Sequence, residues 1–187
     1  MKSGLTVRVD NARSILDALK NIGKKDVLVG IPQAGDARQQ EEGEKATIGN
    51  AAIGYINENG SPAQNIPARP HLQPGVQSVQ PQTVERLKAA AVATLEGNAA
   101  AADRALNSAG IIAAQGVKRY MTITGFNPLA ESTLAARARR GRKGAAKELT
   151  SRAAGNAADN SNARPLIDEG QYRRAITYVV RNKDAES

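Results

Sequence analysis

Residues 53–76 read IGYINENGSPAQNIPARPHLQPGV. The stretch opens as the end of an amphipathic helix, with Ile48, Ala52, Ile53 and Ile56 on one face at the spacing of a helix. Asn59 and Gly60 then supply a residue able to take positive φ just past the last turn, and Ser61-Pro62 keeps the helix from resuming. Pro62, Pro67, Pro70 and Pro74 each fix their own φ and push the preceding residue toward extended backbone. Residues 59–76 are therefore expected to form a stiff, extended arm. Ile66 and Leu72 are costly to leave in water, so the arm needs a surface, either its own domain or a neighbouring copy or partner.

Working outward, 187 residues suit a single domain, taken as residues 1–187. Aromatic residues make up only 3%, with no Trp and one Phe, so the core must be built from Leu, Ile, Val and Ala. The absence of cysteine removes disulfides, thiolate metal sites and cysteine nucleophiles together. No stretch approaches the roughly 20 apolar residues of a membrane span, and the first residues lack a signal-peptide core, so a soluble protein is expected. The formal charge is +8, and residues 134–187 hold 12 basic against 6 acidic residues, so the basic bias lies toward the C-terminal end.

Leu5, Val7 and Val9 alternate as in a half-buried strand. Asp10 or Asn11 can cap a following helix whose stripe is Ala12, Ile15, Leu16, Leu19 and Ile22. Residues 26–31 read as a strand buried on both faces, closed by Pro32. Residues 33–45 are a polar excursion with Glu41, Glu42 and Glu44 clustered but without a regular ligand spacing. A helix over 47–57 precedes the arm. Pro81 suits the first turn of the next helix, with Val84, Leu87, Ala91 and Leu95 as its apolar face. Asn98 caps a longer helix to about Met121, in which Gly110 and Gly116 permit close approach of another element.

Residues 122–130 break around Gly125 and Pro128, and 131–140 offer a short helix with Leu134 as the only large anchor. Arg137, Arg139, Arg140, Arg142, Lys143 and Lys147 follow with no acid among them until Glu148, and residues 137–163 are expected to be a flexible basic segment. Ile176, Tyr178 and Val180 alternate with Thr177, Val179 and Arg181 in a terminal strand returning to the sheet. The fold class is α+β: a small, mostly antiparallel sheet packed against several helices, one of them long, with the arm and the basic loop as extensions.

Chemistry finds little purchase. His71, the only histidine, lies between Pro70 and Leu72 with no acid fixed nearby in sequence. Asp168 and Glu169 are adjacent, and adjacent side chains rarely face one site, so capping of the turn into Gln171 is the simpler role. There is no phosphate-cradling loop, zinc spacing or dinucleotide fingerprint. No catalytic, cofactor-binding or metal-ligating residues are assigned, and the chain is not expected to be an enzyme.

Three segments nonetheless carry a resemblance. Residues 55–60 (YINENG) followed by Ser61-Pro62 and by 66–75 (IPARPHLQPG), then 129–137 (LAESTLAAR), then 165–171 (PLIDEGQ) before the strand with Ile176, Thr177 and Tyr178, together resemble the virion-morphogenesis, or neck and tail-completion, proteins of tailed bacteriophages. The family pattern usually has Phe where this chain has His71, often Arg at Gln73, and commonly Thr at Glu169. The resemblance implies a structural protein at the head-to-tail junction, forming a ring that completes the tail or neck and joins it to the head. Six-fold symmetry is expected, against twelve-fold for connector rings nearer the portal. Implied partners are further copies of the chain, adjacent neck or connector proteins, and tail tube or tail terminator proteins. Genomic DNA would pass through the channel without sequence-specific binding, and the protein would reside in the virion after assembly in the host cytoplasm.

On this reading Ile66, Pro67, Arg69, Pro70 and Leu72 lie at a subunit boundary, with Arg69 paired to an acid. The basic residues at 137–147 lie against an adjacent ring or the tube. The alternative is a nucleic-acid-binding protein without sequence specificity, using that same basic segment.

Overall fold

The computed structural model describes residues 12–37 and 48–183. Over these the chain forms α1 (Ala12–Ile22), β1 (Lys25–Gly30), α2 (Asn50–Asn59), α3 (Leu72–Gln77), α4 (Gln80–Leu95), α5 (Ala99–Ile123), α6 (Glu131–Arg139), α7 (Lys143–Ala153), α8 (Gln171–Ala175) and β2 (Thr177–Asn182). The two strands pair antiparallel, with Val27 opposite Val180 and Val29 opposite Tyr178. The architecture is α+β, as the sequence led one to expect. The expected strand at Leu5–Val9 and the acidic cluster at 41–44 lie outside the described residues.

Helix α5 is the axis of the body. The Asn98 side chain caps it, accepting the Ala101 amide at 3.0 Å. Both strands and both α3 and α4 pack along it. Gly110 lies under the Tyr178 ring, and a Cβ at Gly116 would stand 2.7 Å from Val79 Cγ2. Gly75 of α3 meets the same face, its hypothetical Cβ 2.6 Å from Val117 Cα. Only glycine allows backbones this close. Around the crossing Val117, Met121, Phe126, Leu166, Tyr172 and Ile176 form the main core. Val117 and Ile176 are completely buried, worth about 1.5–3 kcal/mol each.

Other expectations need correction. β1 is not buried on both faces, since Leu28 is 42% exposed. Among the described residues the two-stranded sheet packs on α5. α4 buries Thr83, Ala90 and Ala93, and leaves Leu87 and Leu95 exposed, because only small residues fit a close helix pairing. α1 forms over the expected span, yet Ile15, Leu16 and Leu19 are 48, 55 and 53% exposed.

The arm is not extended throughout. Gly60 ends α2 at φ +77°, its amide donating to Ile56 O at 2.7 Å, as expected. Pro62–Gln64 then make one 3₁₀ turn, closed by reciprocal hydrogen bonds between Ser61 and Ile66, and only 67–70 lie without a helical turn before His71 takes the N-cap position of α3. Leu72 packs against the main core of its own chain. The basic segment is likewise not a flexible loop. It folds as α6 and α7, joined by a turn at Gly141 (φ +80°) and packed around Leu129, Leu134, Ala145 and Ala163.

Candidate functional site: a cleft built by three sequence segments

The segments at 53–69, 128–140 and 165–172 converge on one cleft of about 880 Å³. The arm forms one wall, α6 and the loop before it the other, and Leu166 with Tyr172 the base.

Two arginines hold the walls. Arg69 is buried, and donates from Nε to Asn127 O at 3.2 Å and from Nη2 to Pro128 O at 3.4 Å, while its own amide donates to Asn57 O at 2.6 Å. It thereby ties the arm to both α2 and the loop before α6. Arg137 is also buried. Its Nη1 donates to Arg164 O at 2.9 Å and Ile167 O at 3.2 Å, and its Nη2 to Pro165 O at 3.1 Å. Burial lowers the pKa of each from the usual arginine value, with Arg137 adding repulsion at Arg69 and Asp168 partly offsetting the shift at Arg137.

Asp168 and Glu169 lie on the same rim. Asp168 faces Arg140 at 3.2 Å, Arg142 at 3.3 Å and Arg137 at 3.7 Å, and Glu169 pairs with Arg142. These two acids therefore answer the basic segment, over a sequence separation of nearly thirty residues. Of the six basic residues, Arg137, Arg140 and Arg142 are thus occupied within the chain, whereas Arg139, Lys143 and Lys147 are exposed on α6 and α7. Arg69 differs from the rim arginines, because no carboxylate pairs with it among the described residues.

Behind the cleft lies a polar trio, His71 and Tyr172 buried and Glu58 partly so. His71 Nδ1 sits 2.8 Å from Arg69 O and 3.0 Å from Glu58 Oε2, both acceptors, so that nitrogen carries the proton. Nε2 then accepts from the Tyr172 hydroxyl, and the rings meet edge to face at 5.5 Å. Burial pushes the His71 pKa down, and burial pushes the Tyr172 phenol up. Both shifts favour the neutral forms this arrangement uses. Glu58 also accepts the amides of His71 at 2.8 Å and Leu72 at 3.0 Å, capping α3. The trio fastens the arm to the body. His71 is fully buried.

Of the residues assigned to the boundary, Ile66 is half-buried and Pro67 and Pro70 are exposed, whereas Arg69 is buried and Leu72 packs inward. Sequence reading missed Glu58 and Tyr172. The sequence signal for Glu58 was its place in the last turn of α2 with no cation one turn away, which leaves the carboxylate free to reach forward. Among the described residues no group of His, Cys, Asp and Glu is arranged to hold a metal, and no helix is long and apolar enough to cross a membrane.

Fold and site together define an α+β body with an arginine-braced cleft. Comparison with family models, with curated proteins and with solved structures finds no match in any of the three.

Proposed function

We propose that this chain is a structural subunit of a bacteriophage virion, forming a ring at the head-to-tail junction that completes the tail or neck. The observation that carries this reading is the convergence of the three resembling segments on one cleft, braced by Arg69 and Arg137. Chance matches scattered along a chain have no reason to meet in space. Support also comes from α1, where Ile15, Leu16 and Leu19 stay about half exposed, an apolar surface suited to assembly.

In this reading Ile66, Pro67 and Pro70 contribute the boundary contact, and Arg69 and Leu72 hold the arm in place behind them. The nucleic-acid alternative draws less support, because half of the basic residues it needs are spent within the chain. Native mass and negative-stain imaging of the purified protein test the proposal. A ring of six copies of 19.6 kDa, about 118 kDa, is the expected result. A strictly monomeric mass across the accessible concentration range, with no rings on the grid, would overturn it.

A further inference from the structure

We infer that the cleft between the arm and α6 is the docking site for a carboxylate-bearing, extended segment of a different, acidic protein, with Arg69 as the group that receives the carboxylate. The inference stands on the cleft itself and does not require that the chain close into a ring.

The argument is one of charge accounting. The cleft's own acids, Asp168 and Glu169, are already matched by Arg137, Arg140 and Arg142. Arg69 lines the same cleft, is 7% exposed, and has two carbonyl oxygens for company but no carboxylate among the described residues. A desolvated guanidinium without a counter-charge is costly, and an incoming carboxylate removes that cost. Its remaining donors suit an oxygen arriving from the cleft.

Two further groups are placed to read an extended chain. The side chains of Asn65 and Thr133 line opposite walls and make no hydrogen bonds among the described residues. Asn65 holds φ +52° at the end of the 3₁₀ turn, and that conformation sets where its amide stands. At about 880 Å³ the cleft falls within the roughly 300–1,000 Å³ range of sites that enclose a ligand. The source of the segment follows from net charge. A second copy would bring another +8 toward this face, whereas an acidic protein is attracted to it.

The test titrates the ¹⁵N-labelled full chain with acetylated hexaglutamate and, separately, acetylated hexaglutamine. Expected are shifts of the Arg69 Nε–H and of the Asn65 and Thr133 amides with hexaglutamate alone, weakening between 50 and 300 mM salt. Arg69→Met alone is a poor probe, because Arg69 also ties down residues 127 and 128. Thr133→Glu, at an exposed position on the wall, should weaken hexaglutamate binding at least tenfold while leaving the fold intact. Neutralising Arg139, Lys143 and Lys147 to Gln should leave the cleft shifts in place. Equal response to hexaglutamine, shifts confined to the outer face of α6 and α7, or indifference to Thr133→Glu would each overturn the inference. So would a cleft closed by a second copy, seen as an oligomer that rejects hexaglutamate and dissociates on Thr133→Glu. Ring formation is read separately by native mass, so failure of one proposal is distinguishable from failure of the other.

Discussion

His71 shows how one buried side chain fixes both a local structure and a pH response. Its pKa is depressed in the folded chain, chiefly by burial, below the ordinary value of 6.5. As the pH falls through about 6.5 the unfolded chain takes up a proton that the folded chain refuses, so stability is complete above that value and declines below it. His71→Phe keeps a ring against Tyr172 but leaves the Tyr172 hydroxyl and the Arg69 carbonyl without their partner. A loss of about 1–3 kcal/mol at pH 7.5 is expected, together with a flatter dependence of stability on pH between 5 and 6.5. Urea unfolding of both proteins across that range checks it, and an unchanged slope would deny His71 its role. Sequence alone gave His71 no acidic partner and left open whether it is packed or exposed. It could not supply the partners, since Tyr172 lies 101 positions away and Glu58 thirteen.

Among the elements, those carried by a regular apolar period were legible and those held by polar ties were not. α5 and β2 announced themselves through spacing, and Gly110 and Gly116 through their place within it. Gly116→Ala tests that reading by sign. Helix propensity alone favours alanine by about 1 kcal/mol, yet the new Cβ would press on Val79 and on the Gly75 carbonyl, 2.8 Å away. Overpacking of this kind costs about 1–3 kcal/mol, so a net loss in thermal unfolding is expected where propensity predicts a gain. The short helix expected over 131–140 forms as α6, whereas the stretch over 137–163, expected to be flexible because its basic run lacks an acid, is ordered and continues into α7. What orders it is Arg137 on three carbonyls of residues 164–167, and Glu148 of α7, fully buried, which accepts from Arg152 at 2.9 Å and Asn162 at 3.1 Å. None of these long-range ties shows in a local pattern. The charge left on the hairpin has a measurable consequence. If the hairpin is the contact, its three cations without an acidic partner among the described residues, Arg139, Lys143 and Lys147, imply a log–log salt slope for random-sequence DNA of about −3, against about −5 had all six been available. Filter retention between 50 and 200 mM salt distinguishes them.

At the scale of the whole molecule, a chain of charge +8 can join two kinds of partner, and salt separates them. Copies of itself repel at long range, so ring formation driven by apolar contact should strengthen as salt rises from 50 to 300 mM, while an acidic partner in the cleft should bind less tightly over the same interval. The arm offers a second handle, because its fastening and its outer surface are different residues. Glu58, Arg69, His71 and Leu72 face inward, and Pro70 is exposed between them. Pro70→Glu should therefore cost no more than about 1 kcal/mol of stability, the entropic contribution of a proline at a compatible position. The same substitution places a charge where the proposed boundary closes, and is expected to lower the population of rings in native mass spectra at least tenfold, about 1.4 kcal/mol. Rings undiminished by Pro70→Glu would remove the arm from the boundary. Loss of folding and of rings together would mean that Pro70 serves the body, and the contact between copies would have to be sought on another face.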